Sequence, residues 1–234
     1  MTDIFDLEAP PLMDLLPAET RAALRAVSTP VHYADGALVH ARGDRKPGLS
    51  IVRSGRVRIG NPGSDGSYTT MSILGPGHTF GEFTLFAHLP RTHDVVAVGD
   101  VVIDQISRPR FMAVYDRDPA LGRALLSLTT IRVHALIEFV EDLRRLPLPV
   151  QLAKHLLAMA RKHPPGTPVN LGQEELATMF GVTRVSAGKA LRGLAGEGLL
   201  SLGYGRIAIP DPPRLAAWVA ERSVLAPLDL LSEG

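Results

Sequence analysis

The 234-residue sequence contains no cysteine, and this absence excludes several kinds of chemistry. Disulfide bonds, thiol catalysis and iron–sulfur clusters held by cysteine thiolates are all ruled out. No apolar run reaches the roughly 18 residues of a membrane span. The N-terminus, MTDIFDLEAPPL, is acidic and lacks the apolar core of a signal peptide. We therefore expect a cytoplasmic protein with no membrane partner.

Overall charge is also nearly absent, because the formal balance is only +1. The local distribution is more informative. Residues 1–108 carry ten Lys/Arg against twelve Asp/Glu, whereas residues 161–210 carry six against three. The excess positive charge late in the chain is suited to a polyanion there. The length is typical of two domains, and an apolar content of 45% is sufficient for a substantial core.

The first half of the chain changes from a helical to a β pattern. Residues 13–28 have the apolar spacing of a short helix. Residues 31–108 alternate short apolar runs with Gly, Asp, Asn and Pro, which predicts an antiparallel sandwich or roll. Within this region NPGSDGS predicts a loop at a hairpin end.

A long helical pattern follows the β region and carries two apolar stripes. One stripe has nearly heptad spacing, and Val133, Ile137 and Val140 lie on another face. The residues of the first stripe are Leu121, Leu125, Leu128, Arg132, Leu136, Phe139, Leu143 and Leu146. A helix that is apolar on two faces packs against two surfaces. We interpret it as a dimerisation helix, with a single buried core helix as the alternative.

The motif LPLP at 146–149 predicts the end of the long helix and a hinge, because each proline lacks a backbone donor and restricts its predecessor. Helices are predicted at 150–162, 173–180 and 183–194, and a hairpin at 199–209. We place domain boundaries so that 1–108 is an effector domain, 109–146 the long helix and 147–234 a hinge with a DNA-binding domain.

The segment QEELATMFGVTRVSAGKALRGLAGEGLLSL predicts a helix-turn-helix. Gly181 supplies the turn, Thr183 caps the second helix, and basic side chains remain on its outer face. Arg184 can bond guanine O6 and N7, and Val185 offers only apolar contact to a base. The alternative is a three-helix domain with a solvated basic face. Candidate DNA contacts are Gln173, Thr183, Arg184, Val185, Ser186, Lys189, Arg192 and, in the following hairpin, Arg206.

The segment FGEFTLFAHLPRTH, residues 80–93, combines one carboxylate and one guanidinium in an apolar setting. A short helix after Gly81 offers free amides to a phosphate, and Arg91 can neutralise that phosphate with a bidentate fork. Glu82 can accept hydrogen bonds from a sugar hydroxyl. The residues therefore predict a site for a small molecule with a phosphate and a ribose. A structural Glu82–Arg91 ion pair is the alternative.

These motifs resemble the cyclic-AMP receptor protein/FNR family of bacterial transcription regulators, and the resemblance extends over nearly the whole chain. FGE…PRT is similar to the phosphate-binding cassette of cyclic-nucleotide-binding domains, and GLSIVRSGRVRI to their strand–Gly–strand hairpin. The resemblance implies an α+β fold. It comprises an N-terminal antiparallel β-roll of the double-stranded β-helix or jelly-roll type, a long dimerisation helix and a C-terminal winged helix-turn-helix.

The resemblance implies a homodimer that binds a palindromic operator in double-stranded DNA under control of a cyclic nucleotide, cAMP or cGMP, with RNA polymerase as a partner. It implies no catalytic residue, no metal and no covalently bound cofactor. Ligand roles then fall on Gly81, Glu82, Phe83, Thr84, Arg91, Thr92, Arg132 and Leu136. Arg132 matches an arginine that lies near the cassette glutamate in related proteins.

Four positions depart from the family pattern. Leu136 and Ile137 replace a Thr-Ser pair that meets the adenine in cAMP responders, and His93 replaces a small Ala. Thr92 is compatible with cGMP as the effector, because a Thr at this position accompanies cGMP preference in eukaryotic relatives of the domain. Val185 replaces a Glu that commonly reads cytosine. Classical cAMP activation is therefore not assured by the motif.

Three alternative functions remain open from the sequence. The same fold could be effector-independent or could sense a non-nucleotide signal. It could sense a gas through haem, with His78, His88 or His93 as ligands. A cyclic-nucleotide-dependent enzyme or a partner-binding module is the third, although no nucleophile–base pair or metal-ligand spacing is present.

Overall fold

A computed structural model describes residues 9–63, 68–161, 166–169 and 171–223. The chain divides into two compact units, Met1–Leu136 and Ile137–Gly234. In chain order the elements are α1 Leu12–Leu15, α2 Ala18–Val27, β1 Thr29–Tyr33, β2 Leu38–His40, β3 Gly48–Pro62, β4 Tyr68–Leu74, β5 Thr79–Phe80, α3 Glu82–Phe86, β6 Asp94–Ser107, α4 Arg108–Tyr115, α5 Pro119–Arg145, α6 Leu148–Ala160, α7 Gln173–Met179, α8 Arg184–Gly196, β7 Ser201–Gly203, β8 Arg206–Ala208 and α9 Pro212–Arg222.

The prediction of one N-terminal helix over 13–28 is wrong, because the structure has two helices. α1 ends at Leu15, and Leu16 is extended, with φ −95° and ψ 143°. Pro17 causes this break, since a proline disfavours the helical conformation of the residue before it. The helices still bury apolar side chains as their spacing requires, for example Leu12 and Leu24.

An antiparallel sheet in the order β1-β6-β3-β4 forms the first unit, with β2 added to β6 and β5 to β3. This confirms the predicted antiparallel β domain. The strand–Gly–strand hairpin expected for GLSIVRSGRVRI is instead one bent strand, β3, paired along its length with β6. The register shifts on both sides of Ser54, and Gly55 has φ +77°. A bulge therefore bends the strand where a turn was expected. Residues 64–67 of the NPGSDGS loop lie outside the described residues.

The segment 109–146, assigned to one long helix, contains two. α4 ends at Tyr115 and α5 begins at Pro119. Thr20 Oγ1 donates a 2.5 Å hydrogen bond to Asp118 in the connecting turn. Leu121, Leu125 and Leu128 are buried in the first unit's core, which they share with Phe111. The opposite face of α5 stays exposed at Leu126, Val133, Ile137 and Val140. Leu136 and Leu143, placed on the first stripe, are also exposed.

In the second unit, the described residues form the end of α5, four further helices and a small hairpin. Gln151 Nε2 lies 2.8 Å from the Leu146 carbonyl and 3.3 Å from those of Asp142 and Leu143, so its amide caps the last turn of α5. Lys154 adds an ion pair to Asp142 at 2.5 Å. The LPLP break is thus a short, hydrogen-bonded junction. The domain boundary placed at 146/147 remains a prediction; the compact units divide at Leu136/Ile137.

α9 was not anticipated from the sequence, although its start signals are present. Asp211 Oδ1 accepts a hydrogen bond from the Arg214 amide, and Pro212 occupies the first turn. Leu215 and Val219 pack into the core of this unit.

By length and composition α5 could cross a membrane, a test that core helices of globular proteins also pass. The first half of α5 packs into the core of the first unit. Its second half carries Glu138, Glu141 and Asp142. We therefore interpret α5 as a helix that packs within the protein and not as one that crosses a membrane.

Leu191 and Val185 of α8 provide a matched test of the second unit's core. Leu191 is fully buried, whereas Val185 is 77% exposed. We expect Leu191→Ala to lower the free energy of unfolding by about 2–5 kcal/mol, because it leaves a cavity. Val185→Ala should change it by less than about 0.5 kcal/mol. Urea unfolding followed by the fluorescence of Trp218, which packs on this core, measures both. Equal effects would contradict the assignment of the α8 core face.

Candidate functional site

Arg91 is a buried cation of the first unit. Only 7% of it is exposed, and Nη2 donates to the Gly48 carbonyl oxygen at 3.1 Å. Nε and Nη1 are also buried, and neither has a hydrogen-bond partner among the described residues. Burial lowers the pKa of Arg91, and the nearby carboxylates of Glu82 and Asp44 oppose that shift. A buried guanidinium with two unpaired donors is a site prepared for an anion.

Two backbone features fix Arg91 in place. Its amide donates to the Asp44 carbonyl and its carbonyl accepts from the Gly43 amide, both at 2.8 Å. Gly81 has φ +105°, and a Cβ there would lie 2.0 Å from Arg91 Nη1 and 2.4 Å from the Gly48 oxygen. Gly81 is therefore required twice, for its backbone conformation and for the space that the guanidinium occupies.

Glu82 is not the ion-pair partner of Arg91. Its Oε1 accepts a 2.6 Å hydrogen bond from Thr79 and lies 3.5 Å from Nη1 of Arg132 on α5. The contact between Glu82 and Arg132 joins α3, the helix after Gly81, to α5. The structural Glu82–Arg91 pair weighed from the sequence is not formed within the described residues.

The other candidate ligand residues divide into buried and exposed groups. Thr84 is buried; its hydroxyl donates to the Gly81 carbonyl at 2.8 Å and accepts from the Gly48 amide at 3.1 Å. Thr92 Oγ1 lies 2.8 Å from His93 Nδ1. Phe83 is 58% exposed and Leu136 40% exposed. Thr84 therefore braces the loop, while Phe83 and Leu136 present apolar surface.

His40 belongs to the surroundings of Arg91, although the sequence analysis did not identify it. Its Nε2 lies 3.1 Å from Ser50 Oγ, and its ring packs edge-on against Phe80. Burial, and secondarily the charge of Arg91, lower the pKa of His40 from 6.5 to about 4. Only its position on β2 beside β6 brings it here, so no local pattern could have identified it.

The histidines weighed as haem ligands make other contacts or lie at the surface. His78 Nδ1 lies 3.1 Å from the Gly75 carbonyl, and His93 contacts Thr92. His88 is exposed. Among the described residues, no group of three or more His, Asp or Glu side chains is arranged to hold a metal ion.

The second candidate site is the exposed face of α8. Thr183 caps this helix as predicted, because its Oγ1 accepts from the Ser186 amide at 3.1 Å. Gly181 has φ +62° and makes the turn. Ala187, Gly188, Ala190, Leu191 and Leu194 are buried. The outer face presents Arg184, Val185, Ser186, Lys189 and Arg192.

Further residues complete this face. Gln173 approaches α8 so closely that a Cβ on Gly188 would lie 2.9 Å from its Oε1. Arg184 Nε lies 3.7 Å from a carboxylate oxygen of Glu174, a contact that the sequence analysis missed. In the β7–β8 hairpin Arg206 is exposed and Tyr204 is fully exposed at the tip. Val169 pairs with Ile207 beside the hairpin.

Comparison with known proteins identifies the domains that carry the two candidate sites. The model of the cyclic nucleotide-binding domain matches residues 30–118, and the model of the Crp-like helix-turn-helix domain matches residues 150–218. A CRP-like cAMP-activated global transcriptional regulator of Mycobacterium tuberculosis is 30% identical over 203 residues, covering 83% of this chain and 90% of the relative. The chain belongs to the CRP/FNR family of transcription regulators.

Other CRP/FNR relatives extend the match. The cyclic AMP receptor protein of Thermus thermophilus is 29% identical and covers 76% of this chain and 82% of the relative. The crystal structure of the catabolite activator protein of Thermus thermophilus superposes with a TM-score of 0.53 at 26% identity, covering 92% of this chain and 100% of the other. These matches confirm the predicted fold class, and the family is one of DNA-binding transcription regulators rather than enzymes.

The low pKa of His40 predicts a dependence of stability on pH. Between pH 6.5 and about pH 4 the unfolded chain binds a proton at this residue that the folded chain does not. Acidification through this window should therefore destabilise the wild-type protein, and the contribution should level off below about pH 4. His40→Gln should lose less stability over the same range. Urea unfolding of both proteins across this window tests the sign; an equal loss in the two would contradict it.

Proposed function

We propose that this protein is a homodimeric transcription regulator whose affinity for a palindromic operator is controlled by a cyclic nucleotide, cAMP or cGMP, bound beside Arg91. The observation that supports it best is the buried guanidinium of Arg91 with two unpaired donors. Leaving such a group without an anion costs free energy, and a cyclic phosphate would satisfy both donors. The relatives named above as cAMP-activated support the same class of effector.

In this proposal the remaining cassette residues orient the nucleotide. Glu82 has Oε1 engaged by Thr79 and Arg132, and its Oε2 accepts the ribose hydroxyl. Gly81 leaves room for the guanidinium of Arg91, which holds the phosphate, and Thr92 contributes its hydroxyl to the phosphate or base. Leu136 and Ile137 supply no donor to a base, so contacts with the base are apolar on that side.

An effector-independent regulator is the less favoured function. It would need Arg91 to be neutralised within the protein, but Glu82 pairs with Arg132 instead. No described carboxylate forms an ion pair with Arg91. An external anion is therefore the simpler partner.

The exposed stripe on α5 supports dimerisation. Leu126, Val133 and Val140 recur every seven residues, and Ile137 lies between the last two at the spacing of a coiled-coil seam. Each of these side chains is between 45% and 69% exposed in the single chain. A second copy of α5 would remove this apolar surface from water.

We propose that the effector acts through the contact between Glu82 and Arg132. Because this ion pair joins the cassette to α5, a nucleotide that engages Glu82 alters the position of α5. The recognition helices of the dimer, α8 and its copy, are then set about 34 Å apart, one turn of DNA. We also propose that this regulator is cytoplasmic and has RNA polymerase as a partner, which its membership of a family of transcription regulators supports.

Calorimetric titration with cAMP and cGMP tests the effector. Wild-type protein should bind one of them, and Arg91→Met should bind neither. Because the substitution also removes a buried charge with unpaired donors, the free energy of unfolding of the nucleotide-free variant should be unchanged or increased. Arg110→Met, at an exposed position of α4, is the control and should bind as wild type. Binding of neither nucleotide by the wild type, or undiminished binding by Arg91→Met, would overturn this proposal.

Selection of operators from random duplexes tests the DNA face. Arg184→Ala should weaken binding to the operator that the wild type selects by about 1–3 kcal/mol. It should also relax the base preference at one base pair of the half-site. Val185→Glu should introduce a cytosine preference in the half-site that the wild type lacks. Arg222→Ala removes an exposed charge of α9 and serves as the control. An unchanged half-site in both α8 variants would contradict the assignment of α8 as the recognition helix.

A further inference from the structure

A cleft of about 440 Å³ is lined on one side by Thr84, His88, Leu89 and Pro90 of the cassette segment, and it includes neither Arg91 nor the DNA face of α8. Its basic lining comes from Arg45, His88 and Arg108, and its apolar lining from Pro47, Leu89 and Pro90. Thr84 also lines it, whereas Arg91 does not, so the cleft is separate from the buried guanidinium. Its volume is within the range of small-molecule sites.

The charge of this cleft is unbalanced. Among the described residues no Asp or Glu lines it, and neither Arg45 nor Arg108 forms an ion pair with a described carboxylate. The neighbouring Asp44 directs its carboxylate at the amide of Ala41 in its own loop, at 3.1 Å. The side chain of Arg108 makes one weak hydrogen bond, in which Nε lies 3.5 Å from the Leu85 carbonyl oxygen. Most guanidinium donors of the cleft therefore remain available to a ligand.

His88 adds a third polar group at a conformational cost. Its φ is +54°, the left-handed region, which among the described residues is otherwise occupied by glycines. A glycine would adopt this conformation more readily, yet the chain carries an imidazole here. We therefore infer that the imidazole of His88 has a role besides forming the turn.

We propose that this cleft binds a small organic anion with an apolar body. Arg45, Arg108 and His88 hold the anionic group, and Leu89 with the two prolines packs against the body. This inference does not rest on the proposed function, because the site shares neither Arg91 nor the face of α8.

Phenyl phosphate is a suitable probe, because it combines a dianion with one aromatic ring. We expect saturable binding to wild-type protein in calorimetry. Arg45→Ala/Arg108→Ala should weaken it by at least about tenfold, or about 1.4 kcal/mol. Arg110→Ala, a charge removed from the same helix outside the cleft, should bind within about twofold of wild type. Saturable binding should persist in Arg91→Ala, because Arg91 does not line the cleft.

A second measurement guards against a folding defect. Arg45 is exposed in a loop, so Arg45→Ala alone should keep the wild-type circular dichroism and still weaken phenyl phosphate. In NMR spectra the amides of His88 and Leu89 should shift on titration. Absence of saturable binding in the wild type would overturn the proposal. So would binding that is lost in Arg91→Ala but kept in the double variant, or an Arg110→Ala effect as large as that of the double variant.

Discussion

The burial of the Arg91 guanidinium constrains the segments that surround it in the first unit. Arg91 reaches the interior only because Gly81 has no side chain and because the Gly48 carbonyl accepts one of its hydrogen bonds. Its backbone is fixed by the 43–44 loop, and its charge adds to the burial that lowers the pKa of His40. The protein thus maintains an unsatisfied positive charge in a low-dielectric setting, and the proposed anionic effector is what would compensate it.

The two units use α5 in different ways. Its first turns bury leucines in the β-unit core, and its last turns are capped by Gln151 and paired with Lys154 in the second unit. The face that neither unit covers carries the apolar seam, and Arg132 lies on the same helix. One helix therefore connects the proposed dimer contact, the cassette and the DNA-binding unit. This connection is the physical basis for allosteric control in the proposed function.

Local patterns predicted most of the second unit correctly. The structure agrees with three short-range features of the sequence. They are the helix cap at Thr183, the turn at Gly181 and the helical spacing of buried residues along α8. The errors occurred where a neighbour changes the backbone. Pro17 divides the predicted N-terminal helix, and the bulge at Ser54–Arg56 replaces a predicted hairpin. In both places the neighbouring residues favour the predicted helix or hairpin. A single proline in the first case and a glycine in the second changed the backbone conformation.

The sequence by itself determined the family, the succession of a β domain, a long helix and a helix-turn-helix, and the residue types of both candidate sites, because these depend on spacing along the chain. It could not determine whether Glu82 pairs with Arg91 or with Arg132, since all three residues carry charge and their separations are set by packing. The tertiary structure forms the contact between Arg132 and Glu82 that the family resemblance implied, and it alone placed His40 beside Arg91. It alone left two donors of Arg91 buried and unpaired, because that depends on which groups from distant segments surround the side chain.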